Sequence, residues 1–510
     1  MAKTPGANHP SDPAPPRRLF WTHRLLLAQL VLAAALVISH LAWQRAADRR
    51  LAAAKALFEK QGISLNWQAM ETPEIPDAEN AVVPYLQAHA QIALLNRRQV
   101  ALLDEVPGNS TLRARYVDKV DELLSSCQGA VDLCRQAAAR KKAYWAIKHT
   151  TPGFSSRIPS LLPQRRLVRL LCLLAERQAD KGQSDEALQS LILAEAAARA
   201  YDGENALLMH LFRMSCLDRV VTTAGEIAPQ VELAGPGPSA AREVLRMLIG
   251  RFLQDSSSRP LQEGFVHEAA IAIDSVEYCS NHPSEFWKLY AGTPGGLEPV
   301  AYLKPATTVD EALIVSQLHK LIELAEKEQM AGQLPPSILD HPGVSLRLFA
   351  HLVGVLRNPL GRAVQITAEN MALCRLAAIR LAMRLFELER GRTAASLDEL
   401  VPDYLPAVPA DPMDPNGGPI RAKLNDPDPR IYSLGDNGLD DGGTGTPGFW
   451  HDPDIVMYLK PKPGPQPAVW AISDIEGTPP PPATDPATSP AAGEETPASA
   501  SDPVAPAQSP

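Results

Sequence analysis

The densest run of residues able to do chemistry lies near the C-terminus of this 510-residue chain, in SLGDNGLDDGG and the HDPD that follows. It places Asp436, Asn437, Asp440, Asp441, Asp452 and Asp454 within 19 positions, with Gly435, Gly438, Gly442 and Gly443 between them. Calcium takes about 6–8 hard oxygen ligands, often carboxylates mixed with carbonyls from a tight loop. Glycines let such a loop turn its carbonyls inward. The same residue types also build ordinary acidic surface turns, so both readings stand at this point.

Other catalytic signatures are missing. His267-Glu268 is followed by Ala269, Ala270 and Ile271, which is not H-e-x-x-H with a second histidine. There is no phosphate loop and no G-x-S-x-G elbow. GTGTPG (443–448) matches a dinucleotide fingerprint in letters, but Pro447 lies inside it and no helix follows to hold a pyrophosphate. The six cysteines are scattered without a C-x-x-C pair, which indicates neither a zinc site nor a disulfide framework. The net charge of −9 argues against a nucleic-acid partner, which needs a basic stripe.

The elements around the acidic loop can be read from patterning. With 45% hydrophobic but only 5% aromatic residues, the core must be built from Ala, Leu and Val, a helix-forming composition. Residues 1–24 are polar and proline-rich, as a disordered tail would be. Leu25–Trp43 is a 19-residue stretch without formal charge, close to the ~20 that cross a bilayer. A cleaved signal peptide is the alternative, but the apolar run exceeds the usual h-region of ~7–15 residues. Arginines 17, 18 and 24 precede the span, and Arg45, Arg49, Arg50 and Lys55 follow it, so charge does not set its direction.

Residues 44–233 read as a first helical region and 240–391 as a second, separated by AGPGPS (234–239). In the first, Leu112, Tyr116, Val120, Leu123, Cys127, Val131 and Cys134 step by three and four, predicting one helix with a single buried face. Residues 160–201 predict a hairpin broken at Gly182, capped by Ser184 or Asp185, and similar to one tetratricopeptide unit. In the second region helices are predicted near 240–254, 262–274, 308–330, 343–356 and 361–390. The last carries a stripe of Met371, Cys374, Ala378, Leu381, Leu385 and Leu388, and Gly391 ends it. Strand is expected largely in the region after Arg421, within a unit over 392–460. Residues 477–510 are rich in Pro, Ala, Thr and Ser and cannot supply a core.

ASLDELVPDYLPAVPADPMDPNG (395–417), RIYSLGDNGLDDGG and the later DPDI together resemble the C-terminal domain of the major pseudopilin of type II secretion systems. The resemblance covers about 65 of 510 residues. It implies a long helix, a short helix, a proline-aspartate loop and a small antiparallel sheet that closes over calcium. It further implies a carbonyl ligand from Leu434, a ligand at Asn437 where the family has aspartate, and carboxylates from Asp452 and Asp454. Asp436 stands next to the substituted position and could replace the missing charge. The chain departs from pseudopilins in having no Gly-Phe leader before its apolar segment, and about 350 residues separate that segment from the module. Its layout, with an IPDAENA segment at Ile75–Ala81, resembles a group of large, uncharacterised bacterial membrane-anchored helical proteins.

The expected architecture is therefore mainly α: a transmembrane helix, a bundle or repeat-like helical body, and a small α+β pseudopilin-like module. The expected function is that of a single-span envelope protein, with its bulk outside the cytoplasm and other envelope proteins as partners. It would act as a non-enzymatic scaffold with a calcium-stabilised terminal module. The alternatives are a hydrolase-like enzyme with its site in the helical body, and an accessory subunit of a type II secretion or pilus-like machine.

Overall fold

Helix dominates the computed structural model, as the Ala- and Leu-rich stripes require, with one small antiparallel sheet near the C-terminus. The structure describes residues 17–66, 70–147, 150–151, 153, 156–233, 239–282, 304–327, 351–445, 453–460, 472 and 475–476. Outside them lie residues 1–16 of the predicted 1–24 tail, the predicted 477–510 tail, all of the 234–239 break but Ser239, and most of the 343–356 helix. Residues 17–24, expected to belong to a disordered tail, are instead the first turns of a helix that the apolar stretch continues.

Helix α1 (Arg17–Lys60) is uninterrupted from the apolar stretch into the body. It holds the one span among the described residues that is long and apolar enough to cross a membrane, and none of that apolar window is buried. Further along, Ala47, Ala54 and Phe58 are buried. Ala54 and Phe58 pack with α11 (Arg259–Asn281) and α12 (Lys304–Glu326) in a core that also takes in Phe265, Val315 and Leu318. Gly62, at φ +71°, ends the helix in a conformation that only glycine adopts without strain.

The larger core is formed by helices α2 (Val82–Ile92), α3 (Arg97–Glu105), α4 (Ser110–Arg115), α5 (Val117–Ser126), α6 (Gln128–Ala138), α7 (Leu162–Asp180), α8 (Ser184–Ala198), α9 (Leu207–Ile227) and α10 (Ala240–Asp255). The stripe predicted as one helix over 112–134 is split among α4, α5 and α6, while every member of it is buried. The bends fall at Tyr116 (φ −111°, ψ 29°) and Cys127 (φ −95°, ψ 7°). One ladder ends at each bend, with Tyr116 N–H on Leu112 O (2.9 Å) and Cys127 N–H on Leu123 O (3.0 Å), and the next begins there, with Val120 N–H on Tyr116 O (2.9 Å) and Val131 N–H on Cys127 O (3.1 Å). Each break is a single residue long, so the apolar spacing persists across it.

The predicted hairpin is α7 and α8, with Gly182 at φ +71° between them. Ser184 does not cap α8; its hydroxyl accepts from Glu232 N–H (2.9 Å) instead. Cys127, Cys134, Cys172, Cys216 and Cys374 are buried free thiols, as expected of small apolar side chains on helix faces.

Helix α13 (His351–Arg390) belongs to both cores: Leu360–Ala372 to the one with α1, Cys374–Phe386 to the other. Its predicted stripe is buried from Met371 to Leu385, and Gly391 (φ +68°) ends it. The sheet follows, with order β1 (Arg421–Lys423), β2 (Arg430–Leu434), β3 (Asp454–Tyr458). Both pairings are antiparallel, and Leu434 lies opposite Asp454. After the sheet the chain returns to the body. Ile475 is fully buried, and Glu476 accepts from Arg115 Nη2 and Tyr116 Oη, both at 2.8 Å.

Candidate functional site

The C-terminal module is held to the body by arginines on one helix. Arg375 donates to Ala410 O (2.8 Å) and Ser256 O (3.2 Å), Arg380 to Leu459 O (2.6 Å), and Arg384 to Val231 O (2.7 Å). At ~3.6 residues per turn, a spacing of five sets Arg380 about 140° around α13 from Arg375, and a spacing of four brings Arg384 back to about 40° from Arg380, so the helix presents donors to carbonyls of both the module and the body. Gly225 of α9 also lies against Met457 of β3, where an added Cβ would meet the sulfur at 3.0 Å.

Within the module the centre is Asp411, 1% exposed. Its Oδ1 accepts from Met413 N–H (2.9 Å) and the Ser433 hydroxyl (2.5 Å); its Oδ2 accepts from Leu434 N–H (2.9 Å) and Arg421 Nη1 (3.3 Å). Asp414 accepts from Asn416 N–H (2.7 Å) and Arg421 Nη2 (2.7 Å). Burial raises the Asp411 pKa and outweighs these bonds. At Asp414 burial also pushes up, but Arg421 and backbone amides outweigh it and hold the carboxyl below its ordinary value. The doubled Asp-Pro of ADPMDP thus ties the loop before the sheet to β1 and β2.

The candidate cation ligands divide into two groups. Leu434 and Asp454 meet as cross-strand partners. Asp454, 1% exposed, accepts through Oδ2 from Gly443 N–H (2.7 Å) and Thr444 N–H (3.2 Å), while Oδ1 is buried without a hydrogen-bond partner. Burial raises its pKa. Gly443 (φ +69°) must be glycine, because a Cβ there would come within 2.7 Å of the Arg430 side chain and 2.9 Å of Tyr432.

Asn437 and Asp436 are drawn elsewhere. Asn437 accepts from Leu439 N–H (2.9 Å) and donates to Asp441 Oδ2 (2.7 Å). Asp440 accepts from Tyr432 Oη (3.1 Å) and Gly442 N–H (2.9 Å). Asp436 leaves the loop to accept from Gln365 of α13. Asp452 lies outside the described residues. Among the described residues no group of three or more His, Cys, Asp or Glu side chains is gathered closely enough to hold a metal ion.

No family model, curated protein or solved structure matches this chain.

Beside Asp436 lies Glu369 of α13, 4% exposed, with neither carboxylate oxygen in a geometrically sound hydrogen bond. Burial pushes its pKa up to about 8; Arg362 (3.7 Å) pulls it down, and Asp436 and Asp218 push it up. Asp411, Asp414, Arg421 and Glu369 were not singled out in the sequence. The doubled Asp-Pro was a visible signal for the first two. Nothing local marks Glu369, whose environment comes from three separate segments.

Proposed function

We propose that this chain is a single-span, membrane-anchored scaffold of the cell envelope whose terminal pseudopilin-like module serves as a calcium-stabilised cap or docking unit. The observation that carries the reading is α1: its apolar half packs on nothing among the described residues, and its other half is part of the body's core. A cleaved leader has no reason to contribute Ala47, Ala54 and Phe58 to a folded domain.

The residues fit calcium in part. The orphaned Oδ1 of buried Asp454 asks for a cation or a donor, and the Leu434 carbonyl belongs to the residue paired with it. Calcium there would be held by Leu434 and Asp454, with Asn437, Asp452 and Asp436 as the remaining candidates. It would neutralise the carboxylates that the tight loop crowds together.

The test uses the full chain. Membrane fractions washed with carbonate should retain it, and the detergent-solubilised protein should melt at a higher temperature in millimolar calcium than in chelator. Asp454→Asn should remove that rise. A chain released by carbonate ends the anchor reading, and a melting temperature indifferent to calcium ends the calcium reading.

A further inference from the structure

The basic residues just beyond the apolar stretch, which leave the direction of the span undecided, are resolved by the structure into two sets. Lys55, half-buried, is paired with the body, 3.1 Å from Glu311 and 3.3 Å from Glu277. Arg45, Arg49 and Arg50 are exposed and have no ion pair with the described residues. Asp48, the acid between them, accepts instead from Gln44 (2.7 Å).

A fourth cation joins them from elsewhere in the chain. Gln44 meets Thr308 at 3.5 Å, and the Phe58 ring meets His319 with centroids 5.2 Å apart, so α1 and α12 run parallel. Lys304 is four residues before Thr308, which places it about 6 Å nearer the apolar end than Gln44 at ~1.5 Å per residue. Lys304 is exposed and, like the arginines, has no ion pair with the described residues. Arg45 and Arg49 lie about 3 and 9 Å along the axis from Trp43 by the same rise, inside the ~8–10 Å over which salt leaves charges to act. Long basic side chains at this depth keep their stems against apolar matter and their charges in the headgroup layer.

We propose that this end of the body is seated on an anionic phospholipid surface, with Arg45, Arg49, Arg50 and Lys304 as its headgroup contacts. The inference rests on the single-span reading and is independent of which side of the membrane the body occupies. Because α1 enters the core without a break, the collar is held at a fixed height and both elements must meet the surface together.

The experiment places the full chain in nanodiscs of phosphatidylcholine alone and of phosphatidylcholine mixed with phosphatidylglycerol, and reads the melting temperature. The anionic lipid should raise it, and high salt should shrink the rise. R45Q/R49Q/R50Q/K304Q should abolish the difference between the two lipids, whereas R17Q/R18Q/R24Q should keep most of it. A general loss of stability cancels, because each variant is compared with itself in two lipids. Equal melting in both lipids, or a rise that survives in the quadruple variant, overturns the proposal. A chain that elutes free of lipid when detergent is removed overturns the anchor itself and is seen separately.

Discussion

Asp411→Ala is the sharpest probe of the module. Asp411 accepts four hydrogen bonds, three of them buried. In the variant, Ser433 can turn to the Leu434 carbonyl already 3.1 Å away, and Arg421 keeps Asp414 at 2.7 Å. The Met413 and Leu434 amides have no such second acceptor. Each buried donor left without a partner costs ~1–3 kcal/mol, so the module should lose about 2–6 kcal/mol. The loss is local, because α13 and the body do not depend on this carboxylate. At about 1.4 kcal/mol per tenfold, amides of β2 should exchange with deuterium roughly 30-fold faster or more. Hydrogen-exchange mass spectrometry on peptides spanning 395–460 measures this directly. Asp411→Asn should fall between, since one oxygen still accepts while its NH2 faces a donor. Asp403, 65% exposed and paired with Arg390 on the surface, is the control and should change nothing. Exchange in Asp411→Ala within threefold of the wild type would refute the assignment of Asp411 as the centre of the module.

Further outcomes follow from the same contacts. Leu381→Ala, at a fully buried position on α13, should destabilise the protein by about 2–5 kcal/mol in urea unfolding. Gly443→Ala should cost more than a typical loop substitution, because φ is +69° and the new Cβ meets Arg430 and Tyr432; its melting temperature should fall even without calcium. For a calcium site of the weak extracellular kind, with Kd of about 0.1–1 mM, 10 mM calcium should add roughly 1.4–2.7 kcal/mol to stability. Glu369 has its folded pKa raised to about 8 above an unfolded value of 4.5, so its contribution is fully present below 4.5 and is lost as pH rises through 8. Over that window stability should fall by up to ~1.4 kcal/mol per pH unit, and Glu369→Gln should flatten the profile; an unchanged slope would remove Glu369 from the account.

Much of the helical body was legible, because burial on a helix leaves a period in the sequence. The stripe from Met371 to Leu385 is buried as its spacing requires, and Gly62, Gly182 and Gly391 stand where helices end. The same period concealed the breaks at Tyr116 and Cys127, since a break of a single residue leaves the apolar spacing almost unchanged. Ser184 shows a second limit: a hydroxyl beside a helix start is a cap only if no better donor arrives, and Glu232 N–H does. The candidate site was legible as a place more than as a ligand set. Its glycines and acids marked the loop, but the direction of Asp436 is set by Gln365, 71 positions away. Asp411 and Glu369 acquire their character only from burial, which no local pattern records.

The return of the chain to the body at Ile475 and Glu476 alters how the protein bears load. Arg115 and Tyr116 grip Glu476, and Ile475 is sunk in the larger core. A pull on the residues beyond 476 is therefore delivered to α4 and α5 before it can reach β3. The sheet is shielded from traction on the tail, and the force path runs from the body into α1. A load applied beyond Glu476 thus reaches the helical body first and spares the acidic loop.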